Sequence, residues 1–437
     1  MRSKFNNPAA QMARRGLLLA ILIAVACLRV APASAASPYP AGAQRPAKPA
    51  RASEFAGAAT AHEAKAARKK PSKHAPKKPK PRKPKLPVNA ERAQLVFGAM
   101  QKTYYILGSG LYSGEPFSFL WPFSQALAAT VSLANVPSLK STFAHEVKVR
   151  LVGLRSYLDV NNSGAPEGSF TSTYPGYDGT VAPPEGPGGA KYYDDNEWVG
   201  IELVRTYKQT HEAAVLGSAE GIMAFVMAGW DTDPAKACPG GIPFSNSIEN
   251  TERNTITDAP AAELGVELYQ LTGNVQYLQF AEMAYEWVRN CLTQPNGLYA
   301  DHINTHGGID PTEWSYTQGT MIGAGTLLYQ ATGNGAYLYQ ARQTARAAIA
   351  YFTPERLGSE IPFFPSVYFR NMLYLDSVTH DPPGLKLVQG YVNYAWEHLR
   401  LSDDVFVAGS PAGAQLLVQA AIVQDYALLS STPSTYF

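Results

Sequence analysis

The sequence predicts an all-α domain, a ring of six helical hairpins or (α/α)6 toroid, and three observations carry that expectation. Apolar residues beyond Asn89 recur at helical rather than strand spacing, a segment repeats at an offset of 60, and Gly-rich loops dense in Tyr, Trp and Asp separate the helical stretches. In the repeat, Leu268-Tyr269-Gln270-Leu271-Thr272-Gly273-Asn274-Val275-Gln276-Tyr277-Leu278 returns as Leu328-Tyr329-Gln330-Ala331-Thr332-Gly333-Asn334-Gly335-Ala336-Tyr337-Leu338. A fainter copy lies 62 residues earlier, with Tyr207, Thr210, Leu216 and Ala219 in place of Tyr269, Thr272, Leu278 and Ala281. Each copy reads as a helix closed by a Thr-Gly C-cap, a tight turn, and a second helix running back. The 349 residues from 89 to 437, divided by 60, give close to six such units. An open solenoid is the alternative. Long loops rich in binding residues favour a closed ring with its loops gathered at one end.

The chain before the ring is of another kind. Arg14 and Arg15 precede the apolar run Leu17 to Leu28, and Ala33-Ser34-Ala35 follows as a small-residue cleavage site. Residues 1–35 therefore read as a secretory signal, giving a secreted, periplasmic or envelope-associated protein. A retained anchor is the other reading, although twelve apolar residues fall short of the roughly 20 that span a bilayer. Residues 36–88 are an Ala/Pro/Lys-rich linker with too little apolar surface to order itself. Between residues 40 and 87 it holds fourteen Lys or Arg against two Glu, and five more basic residues precede it. Of 37 basic and 35 acidic residues in all, 37 − 14 − 5 = 18 and 35 − 2 = 33 remain beyond, so the globular part is acidic, near −15. That charge excludes nucleic acid as its partner. The basic linker is expected to rest on anionic envelope polymers, and the protein is expected to be a monomer.

Within 89–437, Glu91 to Leu107, Phe117 to Leu133, Leu139 to Leu158, Asp195 to Thr210 and Ala213 to Ala228 show helical periodicity. The loop Asn161 to Ala190 has seven Gly and five Pro among thirty residues. It ends on Tyr192-Tyr193-Asp194-Asp195-Asn196-Glu197-Trp198, two adjacent carboxylates between aromatic residues at a helix start. Sugar cleavage needs one carboxylate to meet the developing oxocarbenium ion and one carboxyl group to protonate the leaving oxygen. Asp194 and Glu197 also match a capping box, and the two readings are compatible. A capping Asp194, held low in pKa by N–H donors and the helix dipole, would suit a nucleophile and leave Asp195 as proton donor. Later loops bring further polar and aromatic residues, as polyhydroxy ligands require. They are Trp230 to Thr257 with Asn254, Gly297 to Gln318 with Asp301, Tyr316 and Gln318, and Glu360 to Asn371.

In order along the chain, the Tyr192–Trp198 run, Cys238-Pro239-Gly240-Gly241-Ile242, Asn254-Thr255-Ile256-Thr257, Trp314-Ser315-Tyr316-Thr317-Gln318-Gly319 and Phe369-Arg370-Asn371 resemble glycoside hydrolase family 76. The resemblance covers residues 95–430, nearly the whole globular part. It implies an (α/α)6 enzyme that cleaves α-1,6-linked mannan internally with retention, Asp194 being the nucleophile and Asp195 the acid/base. It also implies α-mannan as the partner. Pro239 and Thr317 depart from the Gly and Asn common in the family, which touches subsite contacts rather than the carboxyl pair. Two other readings stay open, a transglycosidase acting on cell-wall α-mannan and a non-catalytic glycan-binding surface protein.

Asp301 is the first candidate for a sugar hydroxyl contact, with a turn aspartate as the alternative. Tyr316, Gln318, Asn254 and Tyr193 join it as candidate substrate contacts, and Gln318 reads equally as a buried structural amide. Trp198 and Trp121 are candidate sugar platforms or core aromatics. Cys238 and Cys291 either pair or stay as buried thiols. His302 and His306 read as loop histidines, and neither a metal nor a cofactor is expected.

Overall fold

A computed structural model of the chain describes residues 86–161, 169, 174–407 and 415–437. The expected signal peptide, the linker up to residue 85 and part of the Asn161 to Ala190 loop lie outside them. Thirteen helices follow among the described residues. They are α1 (Val88–Tyr104), α2 (Leu120–Asn135), α3 (Lys140–Leu154), α4 (Tyr193–Thr210), α5 (Ala213–Ala228), α6 (Thr255–Thr272), α7 (Val275–Leu292), α8 (Ser315–Thr332), α9 (Gly335–Tyr351), the short α10 (Pro354–Ser359), α11 (Phe363–Thr379), α12 (Pro383–His398) and α13 (Leu416–Leu428).

Two kinds of helix alternate. Every residue of α6 from Thr255 to Leu268 is buried, and so is every residue of α8 from Ser315 to Leu328 apart from Tyr316. On α12 only Gly384, Val388, Tyr391, Val392 and Ala395 are buried, a single stripe. A helix buried all round belongs inside, and one with a single apolar stripe lies over it. Accordingly α2, α4, α6, α8, α11 and α13 pack side by side, and α13 returns to α2 to close the ring. Outside, α3, α5, α7, α9 and α12 each cover the inner helix before them, while α1 covers α13. The sixth hairpin is thus assembled from the first and last helices.

The repeat is realised as expected. Gly273 and Gly333 take left-handed conformations at φ 73° and 71° and end α6 and α8. Asn274 and Asn334 then cap α7 and α9, accepting from the N–H of Gln276 and Ala336 at 3.1 Å each. In the faint copy His211 takes the left-handed position at φ 56°.

The strands are minor. β1 (Leu158–Asp159) pairs with β2 (Gly176–Tyr177), and β3 (Arg253–Asn254), β4 (His302–Ile303) and β5 (Ile309–Asp310) form a three-stranded antiparallel patch in that order. All are loop strands before inner helices.

Candidate active site

The six inner helices begin at one end of the ring, and a shared device fixes the loops that lead into four of them. In α4, α8 and α13 the fourth residue is an amide that mimics a peptide group toward the backbone of the incoming loop. Asn196 accepts from Tyr177 N–H at 2.8 Å and donates to Tyr177 O at 3.0 Å. Gln318 does the same to Tyr299 at 2.9 and 2.9 Å, and Gln419 to Phe406 at 2.8 and 2.6 Å. The fourth residue of α6 is Asp258, which accepts from Ile242 N–H at 3.2 Å. Gln318 is therefore a structural clamp, fully buried, and not a sugar contact, because both ends of its amide are engaged by the main chain.

Buried ion pairs tighten the loops further. Before α4, Lys191 is fully buried and meets Asp178 at 2.8 Å and Asp159 at 3.4 Å. Before α6, the Arg253 guanidinium donates to the carbonyls of Ala237, Cys238 and Gly240 at 2.6–2.7 Å. Cys238 and Cys291 are joined in a disulfide, their Cα atoms 6.0 Å apart. Gly241 packs so closely on Trp287 that a Cβ would fall 2.6 Å from its ring, which explains the glycine in that run.

Aromatic residues from four inner helices meet at the mouth. Phe363 receives Trp121, Trp198 and Tyr316 edge-on at 5.3, 5.6 and 6.3 Å, and Tyr316 stacks on Phe364 at 4.0 Å. Trp121 and Tyr316 are half-buried. Trp198 is buried, being 3 % exposed; the core takes its large apolar surface, so the platform expected of it is corrected to packing. Tyr193 is likewise corrected. It lies flat on Phe225 at 4.7 Å and against Gly229, behind the helix rather than over the opening.

Asp194 and Asp195 stand in the first turn of α4, half-buried and buried respectively. The capping box expected at Asp194 and Glu197 does not form. The N-cap is Tyr192, and Glu197 points inward, fully buried, with neither carboxyl oxygen bonded among the described residues. The low pKa expected of Asp194 is also corrected. Burial raises it to about 7, against the lowering pull of the Asp195 and Asp194 backbone N–H groups. Burial and then the Asp194 charge hold Asp195 well above the ordinary carboxyl range. Both carboxyl groups are thus pushed toward their protonated forms, and they titrate together as a pair.

Around this pair the mouth is acidic. Asp301 accepts from His302 Nδ1 at 3.0 Å, and His302 Nε2 lies 3.8 Å from Glu252. Asn254, 5 % exposed, is the N-cap of α6 and pairs with His302 across β3 and β4. The N–H of Ser315 donates to Glu360 at 3.0 Å, so Glu360 caps α8 from the neighbouring loop and burial lifts its pKa to about 7. The Tyr316 hydroxyl is held well above its usual value by burial, then by the charges of Asp301 and Asp194. The sequence reading took Glu197 as a cap, His302 as a loop histidine and Glu360 only as the start of a loop, and passed over Glu252. Only Glu197 carried a signal, an acid inside an otherwise apolar helical face.

A closed (α/α)6 ring with an acidic, aromatic mouth is the architecture of a helical-toroid glycosidase, and the relatives of the chain agree. Residues 92–378, more than half of the chain, match Glycosyl hydrolase family 76, and the protein belongs to that family. Among curated proteins it is 24 % identical over 175 residues to mannan endo-1,6-alpha-mannosidase DCW1 of Saccharomyces cerevisiae, covering 36 % of this chain and 38 % of that one. The DCW1 of Candida albicans is 28 % identical over 154 residues, 32 % and 33 % of the two chains. The match thus spans about a third of these relatives' lengths. Among solved structures, the family 76 mannosidase Bt3792 of Bacteroides thetaiotaomicron superposes with a TM-score of 0.68 at 19 % identity, over 78 % of this chain and 98 % of that one. An inactive variant of the α-1,6-mannanase GH76A of Salegentibacter sp. HEL1_6, with two consecutive aspartates changed to asparagine, is similar in complex with α-1,6-mannotriose. Its TM-score is 0.63 at 22 % identity, over 78 % and 99 % of the two chains. These likenesses establish the fold.

Proposed function

We propose that the protein is a retaining hydrolase that cleaves α-1,6-linked mannan within the chain, with Asp194 as nucleophile and Asp195 as acid/base. The observation that carries this reading is the Asp194-Asp195 pair itself, two adjacent carboxyl groups in the first turn of an inner helix at an aromatic mouth. The Asp194 carboxylate attacks the anomeric carbon as the bond to the departing O6 breaks, and Asp195 gives its proton to that oxygen. Asp195, now a carboxylate, takes a proton from water, whose oxygen displaces Asp194 from the same carbon. The product keeps the α configuration and the pair returns to its first state. The mannan relatives and the bound α-1,6-mannotriose of the similar Salegentibacter enzyme support the substrate class. Asp301, Tyr316, Trp121 and Asn254 are the contacts proposed for the sugar.

The disulfide supports export, since such bonds persist in oxidising compartments. A cleaved signal, a monomeric enzyme and a basic stem resting on anionic envelope polymers complete the proposal. The test is incubation with linear α-1,6-mannan, reading products by chromatography and anomeric NMR. Short α-configured oligosaccharides are expected, with a loss of about a hundredfold to ten-thousandfold in Asp195→Ala. Asp194→Asn should stop turnover and keep mannan binding. Products longer than the input would turn the reading to transglycosylation, and binding without any turnover in the intact protein would leave a glycan-binding protein.

A further inference from the structure

We propose that His302 is a positioning residue for substrate: held between Asp301 and Glu252 on the middle strand of the mouth patch, its imidazole ring fixes the Asp301 carboxylate in the orientation that receives sugar hydroxyls. The inference rests on the reading above, in which the mouth binds mannan and Asp301 is a sugar contact.

The geometry leaves Asp301 one freedom and gives His302 the task of removing it. The Asp301 main chain is held from both sides, its carbonyl accepting from Thr255 N–H at 2.8 Å and its N–H donating to Asp310 O at 3.1 Å. Only side-chain rotation remains. On that side chain, Oδ2 accepts from His302 Nδ1 at 3.0 Å, and the Trp314 side chain lends a second hydrogen bond. The opposite ring nitrogen faces Glu252 at 3.8 Å. β4 runs between β3 and β5, so His302 stands opposite Asn254 on one side and Asp310 on the other. The ring is 12 % exposed and the Asp301 side chain 18 %, so both keep some contact with solvent.

The charges around His302 have one sign. Its own loop supplies Asp301 and Asp310, and the loop before α6 supplies Glu252. The Arg253 guanidinium is turned away into the carbonyls of Ala237, Cys238 and Gly240. Burial of the ring works against its charge, yet these three carboxylates outweigh burial and raise its pKa. An imidazolium donates from both nitrogens and can hold Asp301 and Glu252 together, whereas neutral imidazole donates from one. The charges of Asp301 and Asp194 both act on the Tyr316 hydroxyl.

The experiment measures binding apart from turnover. In the full chain carrying Asp194→Asn and Asp195→Asn, affinity for α-1,6-mannotetraose is read by calorimetry from pH 5 to 8, with and without a substitution at residue 302. His302→Ala is expected to weaken binding about tenfold at pH 6, the size of one charge-assisted hydrogen bond. His302→Asn places an amide N–H near the Nδ1 position and should recover most of that loss with no pH dependence. The histidine form should weaken as pH rises through its raised value, because the proton shared with the carboxylates is then lost. In the otherwise unchanged enzyme the effect should fall on KM and leave kcat within about twofold.

Equal affinity for His302→Ala would overturn the proposal. So would parallel losses of affinity and melting temperature in both the Ala and Asn variants, the mark of a purely structural residue. Asp301→Asn separates the levels. If it weakens binding while His302→Ala does not, the positioning role alone fails; if it has no effect, the sugar contact at Asp301 fails and takes this proposal with it.

Discussion

Asp194 and Asp195 are neighbours in the chain and unequal in their surroundings. In the proposed reaction the working state has Asp194 ionised and Asp195 protonated. The rate should therefore rise as the pair loses its first proton, above the ordinary carboxyl range, and fall at higher pH as it loses the second, the two limbs belonging to the pair rather than to either residue. A kcat/KM profile with no acid limb would sink the assignment. Glu197 sits in the same turn, buried and unbonded among the described residues, its pKa raised by burial and then by Asp194, Asp258, Glu263 and Asp195. A folded-state value above the unfolded one contributes stability that is present in full below the unfolded value and is lost as pH rises through the folded one. Glu197→Gln should thus raise the melting temperature, and the gain should grow between pH 5 and pH 8. Melting curves at both values check this, and a gain that shrinks with pH would contradict it.

At the scale of single elements, α4, α6, α8 and α13 each hold the loop before them, and two consequences follow for stability. Gln318→Ala strands the N–H and carbonyl of Tyr299 in a buried site and should cost about 2 kcal/mol, read as a lowered denaturation midpoint. Were Gln318 a sugar contact instead, KM would rise with the midpoint unmoved. The Cys238–Cys291 bridge ties the loop before α6 to the end of α7 across 53 residues. Replacing both cysteines by Ser should cost about 2–4 kcal/mol and loosen the loop that carries Arg253 and Asn254. A denaturation midpoint unchanged by reduction would show that the Arg253 hydrogen bonds already hold that loop.

For the ring as a whole, closure depends on helices from opposite ends of the chain. α1 covers α13, and Arg92 on α1 lies over the rings of Trp396 and Tyr426 at 4.4 and 5.7 Å. A chain beginning after Tyr104 would leave apolar α13, with Ile422, Val423 and Tyr426, uncovered. It should lose cooperative unfolding, while a chain beginning at Leu86 should unfold in one sharp transition. Calorimetry of the two distinguishes them, and a sharp transition of unchanged temperature in the shorter chain would refute the requirement for α1.

The sequence alone determined the ring and singled out the Asp194-Asp195 pair. Helical periodicity and the 60-residue repeat are local, written in near-neighbour spacing and in the Thr-Gly caps that Gly273 and Gly333 bear out. The Asp194-Asp195 pair and its aromatic company stand side by side in the chain, so their concentration was legible too. Tertiary structure decided what each residue meets. Trp198 and Tyr193 fell to packing and Gln318 to a main-chain clamp, because burial of large rings and satisfaction of buried backbone groups depend on elements distant in sequence. It also decided the charge of the site. The first-turn N–H groups that would hold Asp194 low are visible in sequence, whereas the burial that outweighs them exists only once six helices close around it. The same closure turned Glu197 from an expected cap into an interior acid and brought Glu252, His302 and Asp301 together from two loops.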